Sequence, residues 1–128
     1  MASPPPRVTL PIVAHLLSAY KLWHSYLPNI PKDARYSLGV KIDALFIEAT
    51  EPLFVATYLS REEKLPYLRK AAAELDLVKF FLQALWEIRA LDNRKYAALS
   101  EELDEIGRMI GGWMRQQGTL GKTGGNIH

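Results

Sequence analysis

Lys79 and Gln83 stand four residues apart, one helical turn, beside Val78 and Leu82 on an apolar stripe. Arg69 and Lys70 precede them in the same segment. An ammonium, an amide and a guanidinium along one helix edge can hold phosphate or carboxylate groups. Arg69, Lys70, Lys79 and Gln83 therefore form the candidate nucleic-acid or partner-binding set. The bland account of Lys79 is a stem that covers apolar surface while its head stays in water. Arg89 falls near the end of that segment, on its core-facing arc, and is expected to pair with a carboxylate.

Nothing in the chain assembles covalent or metal chemistry. There are no cysteines, so disulfides, thiol nucleophiles and thiolate metal sites are excluded. His24 sits on the apolar stripe of the first predicted helix, where a histidine is normally a satisfied core residue; His15 lies off it. A di-iron bundle needs Glu-x-x-His on two helices, and that pattern does not occur. Phosphate-binding glycine loops and a nucleophile elbow are absent too. Trp23, Trp86 and Trp113 fall at core spacing and read as packing residues. No catalytic residue, no metal and no cofactor is expected, and the protein reads as a non-enzyme.

The 128 residues suit one domain, and an apolar share of 48% is enough for a core. No apolar run is long enough to span a bilayer, and Met1–Arg7 does not read as a signal peptide. With no cysteines, a cytoplasmic protein without a membrane partner is expected. Net charge is only +2.

The elements that must position the cations read as four helices in an all-α, up-down-up-down bundle. A Pro-rich leader, 1–8, precedes a bundle over 9–117; a Gly-rich tail, 118–128, follows and is expected to be flexible. Thr9 can cap the first helix, which carries Val13, Leu16, Leu17, Tyr20 and Leu27 to its end near Leu27. Pro28 to Pro31 break it, with Pro31 suited to open the next. The second helix runs from about Lys32 to Tyr58 on Leu38, Ile42, Leu45, Phe46, Ala49 and Leu53; Pro52 should kink it or end it early. Ser60 and Glu63 form a capping box that starts the third. Its core face is Leu68, Ala71, Leu75, Val78, Leu82 and Leu85. Asp92 or Asn93 opens the fourth, with Tyr96, Leu99, Leu103, Ile106, Ile110, Trp113 and Met114 inward and Gly118 as its stop.

Two helices are apolar on a second side. Val40, Ala44, Ile47 and Phe54 lie opposite the core stripe of the second helix, with Glu51 in the skipped turn. Ala73, Leu77, Phe80 and Ala84 do the same on the third. One stripe per helix serves a lone bundle, so these eight residues are the expected oligomer interface, in a closed ring or dimer.

Two short motifs complete the reading. Arg35-Tyr36-Ser37-Leu38-Gly39 opens the second helix. Asp104-Glu105-Ile106-Gly107-Arg108-Met109-Ile110-Gly111-Gly112-Trp113 closes the fourth, with three glycines where a helix interior normally avoids them, each costing about 1 kcal/mol against alanine. Gly107 and Gly111 share a face, so a neighbouring backbone is expected close there. Arg35, in a first turn that disfavours cations, is expected to have a carboxylate partner such as Glu105 or Asp104.

On these motifs the chain, from about Thr9 to Gln117, resembles a small bacterial four-helix-bundle family. That family includes the accessory variability determinant of diversity-generating retroelements and proteins encoded by intervening sequences in ribosomal RNA genes. The resemblance implies a homopentameric barrel of bundles that lacks catalysis of its own. In the retroelement branch it implies binding of the reverse transcriptase and its template RNA during mutagenic cDNA synthesis. The alternative is an intervening-sequence protein or an oligomeric adaptor with another partner. The chain departs from strongly basic relatives: the third helix carries six basic residues against five acidic, the fourth four against five.

Overall fold

Leu68, Ala71, Leu75, Val78, Leu82 and Leu85 recur every three or four residues, and all six are buried. That spacing is the helical period, and the same arithmetic organises the computed structural model, which describes residues 10–125 and the side chains of 11–116. Four helices account for it. α1 is Leu10–Tyr26, followed by one tight turn, Leu27–Asn29. α2 begins with Lys32–Ala34, passes through a π-helical turn, Arg35–Gly39, and continues as Val40–Ala56. α3 is Arg61–Glu87 and α4 is Asn93–Gly125. Each helix packs on the next and α1 also packs on α4, closing an antiparallel bundle.

The core is one cluster, with Trp23, Phe46, Leu53, Leu82, Leu99 and Ile106 among its fully buried members. Trp23 stacks on Phe46 at 6.4 Å. Its Nε1 donates to Asp43 at 3.2 Å, which ties α1 to α2.

The local start signals hold. Glu63 accepts the Ser60 backbone N–H at 3.2 Å and the Ser60 hydroxyl at 3.0 Å. Asp92 accepts the Lys95 N–H at 2.8 Å, so Asp92 caps α4. Pro31, expected at the first helical position, instead sits one position before α2, and its carbonyl accepts from Ala34 and Arg35. Thr9 lies outside the described residues.

Several expectations are corrected. The buried side of α1 is Leu16, Ala19, Trp23 and Tyr26, while Leu17 is 51% exposed and His24 is exposed. The expected stripe was rotated by one residue. Ser18, Lys21, His24 and Ser25 hold the opposite, exposed side of α1, and apolar residues border both edges of the inward side, where Trp23 with its Asp43 partner marks the centre. Pro52 does not stop α2: the helix runs on to Ala56, with Ala49, Pro52, Leu53 and Ala56 all buried. Packing carries it across the bond that Pro52 cannot donate. Gly118 does not stop α4, which continues to Gly125. Residues 126–128 of the expected tail lie outside the described residues.

Candidate interaction faces

The second apolar faces are open. Val40, Ile47 and Phe54 on α2 and Leu77 and Phe80 on α3 are each 44–62% exposed. Ala73 is exposed; Ala44 and Ala84 are half-buried. Tyr36 and Tyr58 extend the α2 face at either end, at 68% and 57%. The two faces lie on neighbouring helices, each pointing away from the core.

The candidate cations do not converge. Lys79 and Gln83 share the flank of α3 that looks toward α4. Lys79 lies 3.2 Å from Asp104 of α4. Gln83 donates to Glu87 at 2.8 Å. Lys70 is nine residues from Lys79, which is half a turn out of phase at 100° per residue. It pairs with Glu74 at 3.5 Å on the other side of α3. Arg69 is exposed between them, with no ion-pair partner among the described residues.

Between α3 and α4 runs a groove of about 470 Å³, lined by Lys79, Asp104, Gly107, Arg108, Gly111 and Arg115 among others. Sequence reasoning missed Asp104, Asp76 and Arg115 as groove residues, because no single-helix pattern reports what two helices bring together. Among the described residues no neighbouring backbone reaches Gly107 or Gly111. A Cβ on Gly107 would meet nothing within 4 Å, and one on Gly111 would meet only the Arg115 side chain at 3.5 Å. The expected close approach is therefore absent inside the protomer. Arg108 donates to Glu105 at 2.7 Å, one turn away. That hydrogen bond, then the Glu105 charge, raises the guanidinium pKa further.

Arg35 has no carboxylate partner among the described residues. Its Nε and Nη2 donate to the Ile30 carbonyl at 3.1 and 2.9 Å, and Nη2 also reaches the Pro28 carbonyl at 3.2 Å. The guanidinium closes the α1–α2 connection, and carbonyls satisfy it where an acid was expected. Ser37 competes for the same turn, its hydroxyl donating to the Asp33 carbonyl at 2.8 Å. Gly39 is buried against Leu27, where a Cβ would sit at 3.6 Å, an ordinary contact. Of this motif, Tyr36 and Ser37 are exposed, and Tyr36 is the large side chain turned out.

The α3–α4 connection turns on Arg89, at φ 66°. The Ala90 N–H returns to the Leu85 carbonyl at 2.8 Å and closes the helix end. A left-handed non-glycine residue costs about 1–2 kcal/mol. Arg89 is thus a loop residue rather than part of the core arc, exposed, with no ion pair among the described residues. Trp86 is also corrected: it lies 37% exposed, stacked on Tyr96 at 5.1 Å, its indole N–H donating to Asn93. Trp113 is half-buried with the Lys64 ammonium 5.1 Å above its ring. Tyr26, buried beneath Lys95, has its phenol pKa raised, first by burial and then by Asp92.

Among the described residues no three His, Asp or Glu side chains converge as metal ligands, and no helix is long and apolar enough to cross a membrane. What the geometry does offer is surface: two apolar helix faces, a charged groove and an exposed tyrosine. These define a helical bundle equipped for contact.

The chain matches the family described as bAvd-like over residues 13–117, which span all four helices, and it belongs to that family. It is of the bacterial accessory variability determinant kind. No curated protein and no solved structure matches it.

Proposed function

We propose that this protein is a non-enzymatic accessory subunit of a diversity-generating retroelement. It assembles as a homo-oligomer, a pentamer by the family resemblance, and binds the reverse transcriptase and its template RNA in the cytoplasm. The observation that carries the reading is the bAvd-like match over residues 13–117, joined to two apolar faces that the single bundle leaves uncovered. Arg69, Lys70, Lys79 and Gln83 are the proposed nucleic-acid or partner contacts, repeated around a ring so that a small patch in each copy multiplies. Val40, Ala44, Ile47, Phe54, Ala73, Leu77, Phe80 and Ala84 are the proposed contacts between copies.

The near-cancelling charge favours a second reading, an intervening-sequence protein or an oligomeric adaptor for another partner. Lys70 and Lys79 are already matched by Glu74 and Asp104. Affinity capture at low salt, with the reverse transcriptase and template RNA encoded beside the gene, separates the two. The first reading expects both to be retained. Retention of neither would sink it.

A further inference from the structure

We infer that one copy's α2 face docks antiparallel on the next copy's α3 face, head to tail, with Ile47 against Ala73, Ala44 against Leu77 and Val40 against Phe80. The inference rests on the oligomeric reading above and adds which face meets which, in what direction and in what register.

The argument begins with spacing. Val40, Ala44 and Ile47 repeat at four and three residues; so do Ala73, Leu77 and Phe80. Two stripes of equal pitch can interdigitate over two turns. Sizes fit as well. Ala73 faces Ile47, and Ala44 faces Leu77, a small residue against a large one each time. Val40 lies against Phe80, the most exposed large apolar residue of α3 at 62%.

Size alone would allow the parallel direction too, since Val40 would then meet Ala73 and Ile47 would meet Phe80. Charge decides. Extended by one turn, the antiparallel register brings Glu51 of α2 to Arg69 of α3. Both are exposed, and neither has an ion-pair partner among the described residues. The parallel register would instead set Glu51 at Ala84, one turn short of Glu87, with no cation near.

Symmetry points the same way. The two faces lie on different helices, so a copy that presents α2 to one neighbour still presents α3 to another. Such heterologous contacts close into a ring when the rotation from copy to copy closes, the case the oligomeric reading takes. Rotation about an axis parallel to the bundle keeps every α2 pointing one way and every α3 the other, so neighbours meet antiparallel. Heights agree as well. Ile47 lies nine residues before Ala56, and Ala73 twelve residues after Arg61, the ends of the α2–α3 turn. At 1.5 Å per residue the two differ by about 5 Å, within one helical turn.

The chain has no cysteine, so engineered thiols report cleanly. Ile47→Cys, Ala73→Cys and Phe80→Cys proteins are mixed in pairs under diamide, after circular dichroism confirms wild-type helicity. A disulfide needs Cα atoms about 4.4–6.8 Å apart; seven residues of helix, about 10 Å, separate the antiparallel from the parallel partner of position 47. The expected result is a covalent dimer from Ile47→Cys with Ala73→Cys, none from either alone, and a ladder from the double variant. Dimer from Ile47→Cys alone overturns head-to-tail docking. Dimer with Phe80→Cys and not Ala73→Cys overturns the direction. An oligomer by light scattering with none of these cross-links overturns the pairing and leaves the oligomeric reading standing. A wild-type monomer at micromolar concentration overturns both.

Discussion

The Lys79 ammonium and the Asp104 carboxylate, 3.2 Å apart, bridge α3 to α4 across the groove floored by Gly107. Both are substantially exposed, so the pair contributes about 0–1 kcal/mol to stability. Its consequence is for binding: of the cations that line the groove, Lys79 is already matched by Asp104 and Arg108 by Glu105.

Asp104→Asn should therefore strengthen RNA binding, and Lys79→Ala should weaken it. Each phosphate contact changes the salt slope of log K by about 0.7 on a single strand. Lys79→Ala should leave the bundle folded. Fluorescence titrations over a salt series check this. An unchanged slope in both variants would remove Lys79 from the binding set. Because Lys70 faces the other way, Lys70→Ala should act independently of Lys79→Ala.

Ile47→Glu with Phe80→Glu should disperse the oligomer and leave helicity intact, since both side chains already lie in water within the protomer. Light scattering beside far-ultraviolet dichroism measures it. A double variant of wild-type mass would refute the role of these faces.

Gly107→Ala should stabilise the protomer. An added Cβ meets nothing, and alanine gains about 1 kcal/mol of helix propensity, a rise of about 4 °C in Tm. The melt is best read in the dispersed Ile47→Glu, Phe80→Glu background. A fall in Tm there would mean the groove is closed by contacts inside the chain.

Arg35→Ala should cost about 2 kcal/mol, because it leaves the Ile30 and Pro28 carbonyls without their charged donor. Arg35→Lys should recover only part of that, lacking the fork that reaches both. Urea midpoints give the ranking. Equal midpoints for wild type and Arg35→Ala would contradict the clamp.

Tyr20 and Tyr26 both have raised phenol pKa values, for Tyr20 through burial and then the hydrogen bond and charge of Asp43. The unfolded value is near 10. Their contribution is thus fully present below about pH 10 and is lost as pH rises through the folded values. Stability should fall more steeply above pH 10 in wild type than in the Tyr20→Phe, Tyr26→Phe variant. Parallel curves would exclude the two phenols as the cause.

Local start signals and the longest apolar stripes were legible in the chain itself. Ser60, Glu63 and Asp92 act on atoms three residues away, so short-range chemistry fixed where α3 and α4 begin, and of the two apolar stripes of α3 the longer, from Leu68 to Leu85, is the one turned inward. The outward stripes were legible for the same reason, as a second period on α2 and α3. Tertiary structure alone decided the rest. On α1, Ser18, Lys21 and Ser25 mark the outward side, yet apolar residues border both edges of the inward one, and Phe46 and Asp43 of α2 centre it on Trp23. Arg35 found carbonyls of a loop rather than the acids of a distant helix, since the turn folds back beneath its own side chain. Lys79 met Asp104 across two helices, and Gly107 was left facing open space. Pairings of this kind depend on the distance between elements, and periodicity along one element carries no record of that distance.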